Sequence, residues 1–163
     1  MKTKTGYSAL QISLYWIIAA LVGFQLFFGE SMTAVVDAAE ENAKASPFDQ
    51  TMASAHYWVG ISVLALVVIR FIVRLFQGAP EPTTEWQGLA LIAKATHWLF
   101  YALLVAMPVS GLLAVYVDGE FGDIHSLGKP VFILMIAAHA VAALFHQLYL
   151  RDGTLRRMLV PAR

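Results

Sequence analysis

The chain has 163 residues, of which 59% are hydrophobic and only 13% are charged, and its formal net charge at pH 7 is zero. This composition is far from that of a soluble globular domain and indicates a protein embedded in lipid. The sequence contains no cysteine, which excludes disulfides, iron–sulfur clusters and thiolate zinc sites.

Four apolar segments are each long enough to cross a bilayer, which takes about 20 helical residues. They cover approximately residues 10–29, 54–75, 91–115 and 128–150. A chain inside lipid must satisfy its backbone hydrogen bonds internally, and short connections make successive helices antiparallel neighbours. We therefore predict one all-α domain over residues 1–163, an integral-membrane four-helix bundle with up-and-down topology.

The charged residues are divided unevenly between the two ends of this predicted bundle. The first connection, residues 30–53, carries five carboxylates and a single lysine, and the third connection carries three more carboxylates. Nine of the eleven basic residues fall at the other end, namely Lys2, Lys4, Arg70, Arg74, Lys94, Arg151, Arg156, Arg157 and Arg163. The positive-inside rule therefore predicts that both termini lie in the cytoplasm.

The connections differ in character. The second contains Gly78, Pro80 and Pro82, which predict a short, stiff link on the cytoplasmic side. The first is long, polar and rich in alanine, and the sequence leaves open a short helix within it.

Three histidines form a candidate ligand set within the membrane. His56 lies near the start of the second segment and His125 lies just before the fourth, so the two match in depth at the non-cytoplasmic end. His139 follows His125 by fourteen residues, close to four helical turns and about 21 Å along the axis. Imidazoles inside a membrane are costly and usually mark a functional site. One helix that carries two imidazoles at different depths suggests that it supplies a ligand to each of two redox centres.

The partner of His139 stays open at this stage. His97 and Tyr15 both lie in the cytoplasmic halves of their segments, whereas His146 lies closer to the cytoplasmic surface. Taken singly, His97 and His146 are interpreted as interfacial hydrogen-bonding residues.

Two arginines at the cytoplasmic end of the second segment also have two interpretations. Arg70 and Arg74 are four residues apart and share one face of the helix. Either they anchor the helix by extending their charged groups to the interface, or they bind an anionic group.

Several stretches of the sequence are similar to one known family. They are Tyr7–Trp16, His56–Leu75, His97–Tyr101, Met107–Gly111, His139–His146 and Arg151–Met158. Together they resemble the bacterial cytochrome b561 family of four-helix membrane proteins, which carry two b haems with bis-histidine ligation. The resemblance implies a periplasmic haem on His56 and His125. It also implies a cytoplasmic haem on His139 and a residue of the first segment.

The first segment departs from the family pattern, which is similar to Gln-Ile-Ser-x-His-Trp. This chain reads Gln11-Ile-Ser-Leu-Tyr15-Trp16, so tyrosine holds the ligand position. A tyrosine binds haem iron as the charged phenolate, which a low-dielectric site disfavours. Three outcomes stay open: a haem held by His139 alone, a haem that takes His97 as its second ligand, or no cytoplasmic haem. We expect that a haem remains bound through His139.

The resemblance implies a respiratory electron carrier of the bacterial cytoplasmic membrane. One or two b haems per chain would pass electrons between a quinone pool and either superoxide or a periplasmic redox protein. Arg70 and Arg74 would contact haem propionates or quinone.

Two alternatives remain at this stage. One is a haem-bearing anchor subunit of a larger dehydrogenase or hydrogenase, and the other is a haem-free metal transporter. The sequence leaves open whether the chain is itself a quinone-linked oxidoreductase and whether it forms a homodimer. We expect no nucleic-acid partner and no hydrolytic chemistry, because the sequence contains no nucleophile motif or phosphate-binding loop.

Overall fold

A computed structural model describes residues 6–80 and 86–162. Lys2, Lys4, Pro82 and Arg163, on which parts of the predicted topology rest, lie outside these residues. Within them the chain is almost wholly helical and has no strand. The elements are α1 (Ala9–Glu40), α2 (Pro47–Gln77), α3 (Gln87–Tyr116), α4 (Phe121–Ser126), α5 (Gly128–Phe145), a π-helical turn (His146–Leu150) and α6 (Thr154–Arg157).

Four helical units are long and apolar enough to cross a membrane. They are α1, α2, α3 and the unit Phe121–Leu150, in which α4, α5 and the π-helical turn follow one another. Their outer faces expose large apolar side chains, such as Phe27 at 82%, Phe76 at 87% and Leu134 at 72%. Such surfaces are stable when lipid covers them. The predicted all-α, four-helix membrane bundle is confirmed.

The first two helices are longer than the predicted spans. They have 32 and 31 residues, which corresponds to about 47 Å against a hydrocarbon layer of about 30 Å. Most of the first connection is therefore a continuation of α1 and α2 rather than a separate short helix. Helix α1 ends where Asn42 takes a positive φ of 54° and the amide of Ala43 donates to the Ala38 carbonyl at 2.7 Å.

The core of the bundle lies between α1, α2 and α3. Ile18, Val63 and Val67 are only 4%, 3% and 1% exposed, and they form a cluster that α3 completes with Tyr101 and Leu104. The fourth unit packs mainly against α3.

Hydrogen bonds gather the start of α1, the end of α2 and the C-terminal segment at one end of the bundle. The Ser8 hydroxyl donates to the side-chain oxygen of Gln77 at 2.7 Å. The indole nitrogen of Trp16 donates to the carbonyl of Met158 at 2.9 Å. We call this the basic end, because Arg70, Arg74, Lys94, Arg151, Arg156 and Arg157 lie towards it.

The opposite end, which we call the acidic end, has its own cross-links between helices. Lys129 in the first turn of α5 forms an ion pair with Glu30 of α1. The hydroxyls of Tyr57 and Tyr116 lie 2.6 Å apart and join α2 to α3. Because the N-terminal, second-connection and C-terminal segments share the basic end, they must lie on one side of a membrane.

We predict that this side is the cytoplasm. A reporter that is active only in the cytoplasm should function when fused at the C-terminus or after Ala79, and should fail when inserted after Lys44. A reporter that is active only in the periplasm should give the reverse pattern. A periplasmic C-terminus would contradict the assignment of both ends.

Candidate functional site

His56 and His125 meet near the acidic end, as their matched depths predict. Their ring centres lie 6.0 Å apart, and the two ring planes are nearly perpendicular at 83°. One ring comes from α2 and the other from α4, and both are half-buried.

His125 is held by the neighbouring helix α3. Its Nδ1 lies 2.9 Å from the carbonyl oxygen of Met107 and 3.3 Å from the hydroxyl of Ser110. Since a carbonyl can only accept, Nδ1 carries the proton in this contact, and Nε2 keeps its lone pair for a ligand. A Cβ added at Gly111 would stand 3.1 Å from the ring. The lack of a side chain at this position therefore leaves room for the imidazole.

His56 is positioned by α1. The side-chain amide of Gln25 donates to the backbone carbonyl of His56 at 2.9 Å, and Gly29 lies beside the ring, where a Cβ would stand 3.6 Å away. The Nδ1 atom of His56 is buried and has no hydrogen-bond partner within residues 6–80 and 86–162. A buried polar atom of this kind needs a partner, which either a bound group or an ordered water can supply.

A second pair of imidazoles lies in the other half of the bundle. The ring centres of His97 in α3 and His139 in α5 are 5.7 Å apart, with an interplanar angle of 74°. Phe100, one turn after His97, packs edge-on against His139 with ring centres 5.3 Å apart. Of the two candidate partners for His139, the structure therefore brings His97 alongside it.

Tyr15 makes different contacts. The guanidinium carbon of Arg70 lies 5.4 Å above the centre of its ring, and the neighbouring Trp16 packs edge-on at 5.2 Å. The contact with Arg70 is typical of an aromatic ring that supports a cation.

The two arginines of α2 lie at the basic end, in the same half of the bundle as the second pair of histidines. Arg70 donates to the backbone carbonyl of Gln11 at 2.8 Å, and the guanidinium of Arg74 lies 5.7 Å from the ring centre of Tyr101. Tyr101 follows His97 by about one turn of α3. The two arginines also line a small crevice between helices together with Tyr7, Gln11, Ala79 and Tyr101.

His146 belongs to neither pair. Its Nδ1 is bonded to the carboxylate of Asp152, and the amide and hydroxyl of Thr154 donate to the other carboxylate oxygen at 3.0 Å and 2.6 Å. This arrangement agrees with the interpretation of His146 as an interfacial hydrogen-bonding residue. The sequence reasoning missed Asp152, although the turn signal Asp152-Gly153 six residues after His146 could have indicated it.

The two pairs suit a metal that needs only two protein ligands. Two imidazoles on opposite sides of one metal ion place their ring centres roughly 6 Å apart, because each metal–nitrogen bond is about 2.0 Å long. Among the residues that the structure describes, no group of three or more His, Asp or Glu side chains could hold a bare ion. Haem iron takes its other four ligands from the porphyrin, so the imidazole pairs fit haem.

The chain belongs to the prokaryotic cytochrome b561 family, whose model matches residues 6–161. It is 35% identical to cytochrome b562 of Cereibacter sphaeroides over 99% of both chains. It is 27% identical to the probable superoxide oxidase CybB of Yersinia pestis, over 96% of this chain and 97% of that one. It is 28% identical to cytochrome b561 homolog 1 of Escherichia coli, over 94% and 96%.

These findings, together with the fold, define a membrane electron-transfer protein of a family that binds haem b. They favour electron transfer over the alternative of a haem-free metal transporter.

The contact at Gly111 yields a prediction. Gly111→Ala should displace His125, because the new Cβ would press on its ring from 3.1 Å, and overpacking of this kind typically costs about 1–3 kcal/mol. We expect a high-spin fraction in the optical spectrum of the purified protein. Gly88→Ala, in open space in the first turn of the same helix, is the control and should leave the spectrum unchanged. An unchanged spectrum in Gly111→Ala would mean that His125 is not held as described.

Proposed function

We propose that this protein carries electrons across the bacterial cytoplasmic membrane, between a quinone pool at the basic, cytoplasmic end and a redox protein at the acidic, periplasmic end. The observation that carries this proposal is the presence of two imidazole pairs, one in each half of the bundle. Their ring centres are 6.0 Å and 5.7 Å apart. Each pair draws its two rings from different helices, as ligands on opposite sides of a flat group must.

In this proposal the first pair, His56 and His125, holds a periplasmic haem, and His139 holds a cytoplasmic one. Haem b, when bound, supplies one-electron chemistry at its iron. The protein supplies ligands, orientation and an apolar surrounding. The hydrogen bond from His125 to the Met107 carbonyl fixes the direction of the ring and makes its other nitrogen a better donor to the metal.

Arg70 and Arg74 would bind anionic groups at the basic end, either haem propionates or the head of a quinone. Arg70 uses one donor on the Gln11 carbonyl, and a guanidinium has five N–H donors, so both side chains keep donors for an anion. Both side chains are half-buried, and charged residues within membrane helices usually mark a functional site.

The charge of the acidic end favours a protein partner over superoxide. Eight carboxylates lie there against two lysines, Lys44 and Lys129: Glu30, Asp37, Glu40, Glu41, Asp49, Asp118, Glu120 and Asp123. Such a field repels a small anion and attracts a cationic protein surface. The extensions of α1 and α2 beyond the lipid give this partner a surface to contact.

The anchor-subunit alternative would place the same haems in a larger complex. The two hypotheses predict different behaviour of the isolated chain. An anchor subunit alone would fail to pass electrons from quinol to a soluble protein.

The first test of this function uses His56→Ala and His125→Ala. Each should remove one axial ligand, so about half of the low-spin haem signal should be lost or become high spin. Reduction of the remaining haem by a short-chain quinol should persist, while onward transfer to a soluble acceptor should fall at least tenfold. His146→Ala is the control for loss of a histidine and should keep the full low-spin spectrum.

A full low-spin spectrum in both ligand variants would rule out the periplasmic assignment. Failure of wild type to transfer electrons from quinol to any soluble acceptor would favour the anchor-subunit alternative instead.

The second test uses ionic strength. Salt screens charges over about 30 Å at 0.01 M but only about 8 Å at 0.15 M. Between these concentrations the electron-transfer rate with a basic c-type cytochrome should fall several-fold, whereas the rate with superoxide should rise. If the rate with the cytochrome rose with salt and the rate with superoxide fell, the acidic end would not be the surface that faces the partner.

A further inference from the structure

The two imidazole pairs have nearly the same geometry, although only one was predicted from depth alone. The His97–His139 ring distance of 5.7 Å is within 0.3 Å of the 6.0 Å between His56 and His125, and the interplanar angles are 74° and 83°. Edge-to-face packing of aromatic rings covers the same range of distances, so the spacing counts here because each pair also joins two histidines from different helices inside the membrane.

The surroundings of the second pair are also those of a cofactor site. Phe100 packs on His139 from the same helix face as His97, which limits the rotation of the ring. Arg70 and Arg74 line a crevice with Tyr101, which follows His97 by about one helical turn, so two cations lie in this half of the bundle for the anionic groups of a bound cofactor.

Tyr15 has a separate role in the same region. It packs under Arg70, and Arg70 in turn holds the backbone of α1 through the Gln11 carbonyl. The neighbouring Trp16 ties α1 to the C-terminal segment through Met158. These contacts fix the ring of Tyr15 as a support for a cation, and they do not need its hydroxyl.

We infer that His97 is the second axial ligand of the cytoplasmic haem, opposite His139, and that Tyr15 positions Arg70 without binding iron. This inference rests on the proposed function, because it presupposes a haem at His139. Both ligand pairs would then be bis-imidazole, and all four ligands would come from α2, α3, α4 and α5. Helix α1 would contribute packing and the Tyr15–Arg70 contact only.

The decisive experiment compares purified wild type with His97→Ala, His97→Met and Tyr15→Phe, and uses His146→Ala as the control. Haem is quantified per chain, and spin state is read from the optical and electron paramagnetic resonance spectra. Wild type should hold two low-spin haems. His97→Ala should lose about half of the low-spin signal, and added imidazole should restore it if the haem stays bound on His139. Tyr15→Phe and His146→Ala should both match wild type.

His97→Met gives a second, independent measurement where the alanine variant fails to accumulate. A thioether opposite a histidine raises the reduction potential of haem. One of the two midpoint potentials should therefore rise while the other stays unchanged, and the spectrum should remain low spin.

Three results would overturn the inference while leaving the proposed function intact. One is a His97→Ala protein with two low-spin haems. Another is a wild type with two haems of which only one is low spin, the one that His56→Ala removes. The third is a Tyr15→Phe protein that loses half of the low-spin signal. A wild type without any haem would instead overturn the proposed function.

Discussion

A neutral imidazole inside a membrane helix needs a partner, and that requirement organises the rest of this structure. Water is absent from the hydrocarbon layer, so each ring nitrogen must meet a protein group or a bound metal. Four of the five histidines meet in two pairs across helix interfaces. The fifth, His146, lies towards the surface and takes the carboxylate of Asp152. One pair joins α2 to α4 and the other joins α3 to α5.

The ends of the bundle hold the pairs in register. At the acidic end, the Lys129–Glu30 ion pair and the contact between two tyrosine hydroxyls connect neighbouring helices close to His56 and His125. At the basic end, Trp16 and Arg70 fasten α1 to the C-terminal segment and to α2. Between the two ends the helices are mainly apolar. These polar contacts therefore help to fix the axial position of one helix relative to the next. A shift of one turn, about 5.4 Å, would separate either pair of rings.

The fold was largely predictable from sequence, because hydropathy depends on composition along the chain. The pairing of His56 with His125 was predictable too, since depth could be counted from the ends of the segments. The neighbour of His139 was not, because both Tyr15 and His97 lie at a suitable depth. Which of them meets it depends on the rotation of α1 and α3 about their own axes, and the weakly amphipathic sequences of membrane helices specify this poorly. The extension of α1 to Glu40 was missed because polar, alanine-rich residues were interpreted as a loop.

The central claim is that each half of the bundle holds one haem between two imidazoles. Its most direct measurement is the reduced-minus-oxidised spectrum of the purified wild-type protein, recorded together with haem and protein quantified on the same sample. The account predicts two haems per chain, both low spin, with no high-spin component in the oxidised form. Fewer than two haems per chain, or a substantial high-spin component, would contradict it.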